Sequence, residues 1–96
     1  MKMIITRFNY KKYKTTILDI FVKAFMSVNE YYDADMLGSI ISDIKDGKDV
    51  EEHFKHTFMP DVIMLCHIYN ITMFNKYFIF NKLRDEFISK IYDIKP

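Results

Sequence analysis

The stretch Leu65–Leu83, LCHIYNITMFNKYFIFNKL, decides the fold, because two apolar segments meet at Tyr69-Asn70-Ile71-Thr72. A corner there makes either a DNA-reading helix-turn-helix or a helical packing hairpin. Upstream, Val62 to Tyr69 is apolar except for His67, so periodicity alone does not separate a buried helix from a buried strand. Helix is the expectation: Pro60 suits a first helical turn, and the residue before a proline avoids the helical region. Asn70 is placed to stop that helix in the left-handed region and Thr72 to cap a new one opening at Met73 or Phe74. In this last helix Phe80, Leu83, Phe87, Ile88 and Ile91 are spaced to turn inward. Lys82, Asp85, Glu86 and Lys90 then turn outward, with Lys82 facing Asp85 and Glu86, and Glu86 facing Lys90, across single helical turns.

A DNA-reading pair needs a small residue in its first helix, a turn residue soon after, and a second helix that offers polar groups to base edges. Cys66 and Asn70 meet the first two needs. Lys76 falls where a locking apolar side chain is required, and Tyr77-Phe78-Ile79-Phe80 is too apolar for a groove. A packing hairpin is therefore expected. The spacing of Leu65, Tyr69, Ile71 and Phe74 loosely resembles the closing helix pair of BTB/POZ-type interaction domains, over about a fifth of the chain. The mixed sheet that precedes that pair in the family is not visible in this sequence, and neither family is assigned.

Working outward, Thr16-Ile17-Leu18-Asp19 has the spacing of a helix cap with an acid in the positive first turn, which starts a helix at Ile17. Ile17, Ile20, Phe21, Ala24, Phe25 and Val28 follow a helical rhythm, with Leu18, Val22 and Met26 as a second apolar flank. Only Asp19, Lys23, Ser27 and Glu30 form a polar strip, so this helix should be central. Asp33 caps a second helix whose Met36, Leu37, Ile40, Ile41 and Ile44 share a face opposite Asp35, Ser39, Ser42 and Asp43. Gly47 ends it, and Asp49 with Glu52 opens a short third helix carrying Val50, Phe54 and Phe58. Residues Met3 to Phe8 read as a short strand or as an extended arm packed on the core, and without a clear partner strand the arm is expected. The expected fold is all-α: one domain over residues 1–96, a compact bundle of four or five helices with a short extended N-terminal arm.

Half of the 96 residues are hydrophobic and 17% aromatic, enough for a core of large rings without a staple. Cys66 is the single cysteine, which forbids an internal disulfide and fits a cytoplasmic setting, in a host cell if the chain is viral. Met3 to Ile5 is too short an apolar run for a signal-peptide core of about 7 to 15 residues, and no uncharged apolar run approaches the roughly 18 of a membrane span. Lys and Arg number 14 against 13 Asp and Glu, so no global field draws in nucleic acid or an anionic membrane. The abundance of Ile, Lys, Phe, Tyr and Met, with few Ala, Gly, Pro and Arg, reads as the imprint of an AT-rich genome, as in small viruses and phages.

Tyr10-Lys11-Lys12-Tyr13-Lys14 interleaves rings and cations as a site for stacked bases and paired phosphates would, or as a solvated arm would. His53, His56, Cys66 and His67 are zinc-type donors, but adjacent Cys66 and His67 point apart on a helix, and no metal site or cofactor is expected. There is no nucleophile elbow and no Gly-rich phosphate loop, and the glycines are only Gly38 and Gly47. Cys66 belongs to the apolar run, where burial quiets a thiol; Glu51, Glu52, His53 and His56 would need a pocket to do acid-base work. The expectation is a non-enzymatic protein–protein interaction or regulatory module, viral or phage-encoded, that binds a partner protein or a second copy. Tyr31, Tyr32, Tyr77 and Phe78 are its candidate anchors, helped by seven adaptable methionines. The alternative is a small nucleic-acid-binding protein that uses residues 10–14 or a helix-turn-helix-like hairpin over 62–83.

Overall fold

The computed structural model describes residues 2–29, 42 and 58–94. In chain order these form strand β1 (Met3–Ile5), a 3₁₀ turn (Tyr10–Tyr13), helix α1 (Lys14–Asn29), helix α2 (Met59–Ile68), strand β2 (Ile71–Met73), helix α3 (Lys76–Lys82) and helix α4 (Arg84–Ile94). Helix dominates, as the apolar spacing predicts. The expected second and third helices, with their core residues Ile40 and Ile44, lie outside the described residues; Ser42 alone is described there, helical and exposed on the side expected to face out.

α1 is the central element. Ile17, Leu18, Ile20, Phe21, Ala24 and Phe25 are buried, while Asp19, Lys23 and Ser27 face water. The helix begins at Lys14 rather than Ile17, because the 3₁₀ turn runs straight into it and Lys14 already has helical angles (φ −54°, ψ −44°). Thr16 therefore sits inside the helix and is not its cap. A lysine in the first turn opposes the helix dipole, and Lys14 Nζ is held instead by Glu86 of α4 at 3.1 Å.

One ring from each helical segment meets at the centre: Phe21 of α1, Phe58 just before α2, Phe80 of α3 and Phe87 of α4. Every pair among them lies between 5.3 and 6.3 Å, tilted or edge-on, the geometry that aligns a ring edge with a neighbouring face. Phe25 adds a fifth ring against Phe87 at 5.8 Å. Leu83, Ile88 and Ile91 are buried as their spacing predicts, whereas Leu65 of α2 is only half-buried.

The corner after α2 differs from both hairpin expectations. Asn70 does stop α2 in the left-handed region (φ 58°), with its N–H donating to the His67 carbonyl at 3.1 Å. The chain then becomes a strand, so Thr72 caps nothing, and α3 starts at Lys76 behind a second left-handed residue, Asn75 (φ 56°). Two helices separated by a strand are not a helix-turn-helix, which removes that form of the 62–83 site.

β2 pairs in parallel with β1, Met3 opposite Ile71 and Ile5 opposite Met73. Three of the residues expected to form an extended arm, Met3–Ile5, are thus a strand, and the all-α expectation becomes mostly helical with a short two-stranded sheet. Met3 N–H donates to the Asn70 carbonyl at 3.1 Å and Phe74 N–H to the Ile5 carbonyl at 2.9 Å. Ile5, Ile71 and Met73 are buried beneath the sheet, and Ile4 and Phe74 are exposed. Side chains blunt both edges: Asn9 bridges the Thr6 N–H and the Ile4 carbonyl (2.7 and 3.0 Å), and Lys76 Nζ donates to the Met73 carbonyl at 2.7 Å.

Candidate functional site: two exposed surfaces

The first surface is the outward face of α2. Met59, Val62 and Cys66 point inward and are buried. Pro60, Ile63, Met64, His67 and Ile68, at the i, i+3, i+4, i+7, i+8 positions of one helical face, are exposed. Ile63 and Met64 are 52% exposed and Ile68 63%, so three large apolar side chains line a face where a surface helix ordinarily carries charge. This is why the segment's periodicity was ambiguous: both of its faces are apolar.

Beside the end of α2, Tyr69 Oη accepts a hydrogen bond from Lys23 Nζ of α1 at 3.0 Å, and Lys23 also pairs with Asp19 at 2.9 Å. The Tyr69 and Asp19 partners hold the Lys23 ammonium above its ordinary pKa. An open cleft of about 350 Å³ lies here, lined by Met3, Thr16, Asp19, Ile20, Lys23, Tyr69 and Ile71. Among the described lining residues the cation is Lys23, paired with Tyr69 and Asp19, so the group ties α1 to the end of α2.

The second surface joins two candidate segments that are far apart in sequence. Tyr10 and Phe78 meet edge-on at 6.3 Å, which brings the basic–aromatic turn beside α3. Tyr10 itself is buried, so it serves packing rather than stacking. Lys11 and Lys12 are exposed, Tyr13 is half-buried with the Lys12 ammonium 5.6 Å from its ring centre, and Lys14 is tied to Glu86. Phe78 is exposed with Lys82 Nζ 5.4 Å from its ring, whereas Tyr77 packs half-buried against the core. Tyr31 and Tyr32 lie outside the described residues.

Sequence reasoning passed over Arg7 and Phe8. Phe8 is 83% exposed, with the Arg7 guanidinium 4.7 Å from its ring centre. Their turn is tightly tied: Phe8 N–H donates to Thr6 Oγ1 at 3.1 Å, Asn9 N–H to the Thr6 carbonyl at 3.3 Å, and Lys12 N–H to the Asn9 carbonyl at 3.1 Å. The available signal was the spacing of Thr6 and Asn9 around an Arg-Phe pair, both turn-forming side chains.

Of the zinc-type donors, His53 and His56 lie outside the described residues, as do Glu51 and Glu52. Cys66 and His67 diverge, one buried and one exposed, and among the described residues no group of three or more metal-binding side chains converges. Burial pushes the Cys66 thiol up, partly offset by the charge of nearby Lys76. Among the described residues no helix is long and apolar enough to cross a membrane. Comparison with protein families, with curated proteins and with solved structures finds no match.

Proposed function

We propose that the chain is a non-enzymatic interaction module that engages a partner protein through the outward face of α2. The observation that carries this reading is the Ile63, Met64 and Ile68 stripe, exposed at helical spacing on a helix whose other face already fills the core. At half to two-thirds exposure, leaving such side chains in water forgoes on the order of 1 kcal/mol each, a cost that association recovers. Met64 supports the same reading, because an unbranched thioether adapts to different opposing surfaces. The complementary surface is an apolar groove or the apolar stripe of an amphipathic helix, read by anchors at i, i+1 and i+5 from Ile63. His67, exposed within the stripe, adds one polar contact that fixes orientation.

A photoreactive amino acid at Met64, combined with light scattering over a wide concentration range, tests the reading. Cross-links to a second copy or to a discrete partner protein are expected, and Ile63→Ser with Ile68→Ser should abolish them. Cross-links confined to the same chain would make the stripe core rather than surface and overturn the proposal; so would a protein that stays monomeric and reacts with nothing.

A further inference from the structure

We propose that the surface made by Arg7-Phe8, Lys11-Lys12-Tyr13 and Phe78-Lys82 binds single-stranded nucleic acid. It is separate from the α2 stripe and is built from a turn and a helix that lie about 70 residues apart in the chain and meet through the Tyr10–Phe78 contact. Each part pairs a ring with a cation: Arg7 with Phe8, Lys12 with Tyr13, Lys82 with Phe78. Lys11 adds an exposed charge; of the two acids that follow Lys82 in the chain, Glu86 is engaged with Lys14 and Asp85 is exposed, against the five cations Arg7, Lys11, Lys12, Lys14 and Lys82. The basic residues therefore remain locally in excess although the whole chain is almost neutral.

The rings choose the ligand. An acidic peptide would use the cations and leave Phe8 uncovered, and a duplex offers phosphates while its base faces stay stacked inside. A single strand supplies phosphates to the cations and a free base face to each ring, with stacking that tolerates any base. Phe8 is also held ready. The hydrogen bonds that Thr6 and Asn9 make around it fix the turn before any ligand arrives, so little ordering cost falls on binding.

Fluorescence anisotropy with labelled oligo-dT and oligo-U of about 12 nucleotides, a duplex of equal length and polyglutamate separates the ligands. Single strands should bind, DNA or RNA, more tightly than duplex or polyglutamate, and binding should weaken steeply between about 50 and 200 mM salt. Phe8→Ala should weaken single-strand binding by roughly fivefold or more and Phe8→Tyr should restore it. Lys11→Ala with Lys12→Ala should lower the salt slope by about 0.7 per residue. These side chains are exposed, so thermal melts of the variants should match the parent. Ile63→Ser with Ile68→Ser should leave this binding intact. No binding at low salt, equal binding of polyglutamate or duplex, or a Phe8→Ala variant that binds as the parent does would overturn the proposal.

Discussion

α1 and α2 pack against each other and are both rich in large apolar residues, yet they treat those residues differently. α1 turns its Ile, Leu and Phe side chains inward over a wide arc and shows water Asp19, Lys23 and Ser27. α2 buries Met59, Val62 and Cys66 and also shows water Ile63, Met64 and Ile68. The first pattern is that of a helix whose outward strip is mainly polar, with Met26 its one exposed large hydrophobic among the described residues, and the second that of a helix that leaves a whole apolar face in water.

The largest effect is expected on the α1 side. Phe21 touches Phe58, Phe80 and Phe87, so Phe21→Ala should cost about 3 to 5 kcal/mol, read from urea unfolding monitored by circular dichroism. That is a large part of what a domain of this size has. An effect near zero would mean that the ring cluster does not hold the helices together.

Next comes the corner that follows α2. Asn70 and Asn75 both sit at positive φ, a region where Asn is tolerated and most other residues are strained. Asn70→Ala and Asn75→Ala should each destabilise by about 1 kcal/mol, while glycine at either position should be near neutral or better. Equal effects of Ala and Gly would argue against the left-handed geometry on either side of β2.

Much of the helical framework was legible because it is local. Phe80, Leu83, Phe87, Ile88 and Ile91 repeat at the helical period, Pro60 marks a start and Asn70 a stop, and each signal acts within a few residues. The sheet was not legible. β1 and β2 are three residues each, shorter than a strand's alternation can establish, and they pair across nearly 70 residues of chain. Locally Thr72 suits a helix cap with the helix opening at Met73 or Phe74, and only the long-range partner Met3–Ile5 makes Ile71-Thr72-Met73 a strand. The candidate surfaces were partly legible for the same reason. The basic–aromatic turn and Phe78 were visible as separate segments, but their meeting through Tyr10 depends on tertiary packing. The α2 stripe was hidden because a segment apolar all round carries no mark of which face is outside.

Smaller effects sharpen the contrast between inward and outward groups. Burial raises the Cys66 pKa above its ordinary value, so the neutral thiol favours the folded state. Its stabilisation is complete below the unfolded thiol's pKa and is lost as pH rises through the higher folded value. Cys66→Ala should therefore remove part of the alkaline loss of stability, and a disulfide-exchange reagent at pH 8 should modify the parent slowly until denaturant is added. Rapid modification of the native protein would place Cys66 at the surface. Lys14–Glu86, with both side chains about half-exposed, should contribute no more than about 1 kcal/mol, and a double-mutant cycle in high salt should reduce that further.

The central claim is that α2 has one face for the core and one for a partner, and matched serine substitutions on the two faces test it directly. Val62→Ser removes a fully buried side chain and leaves a hydroxyl without water, and it should cost at least about 2 kcal/mol in equilibrium unfolding. Ile63→Ser with Ile68→Ser should stay within about 0.5 kcal/mol of the parent protein, measured at a concentration where the protein is monomeric. A loss from the outward pair as large as that from Val62→Ser would contradict the account, because it would show that both faces of α2 belong to the core.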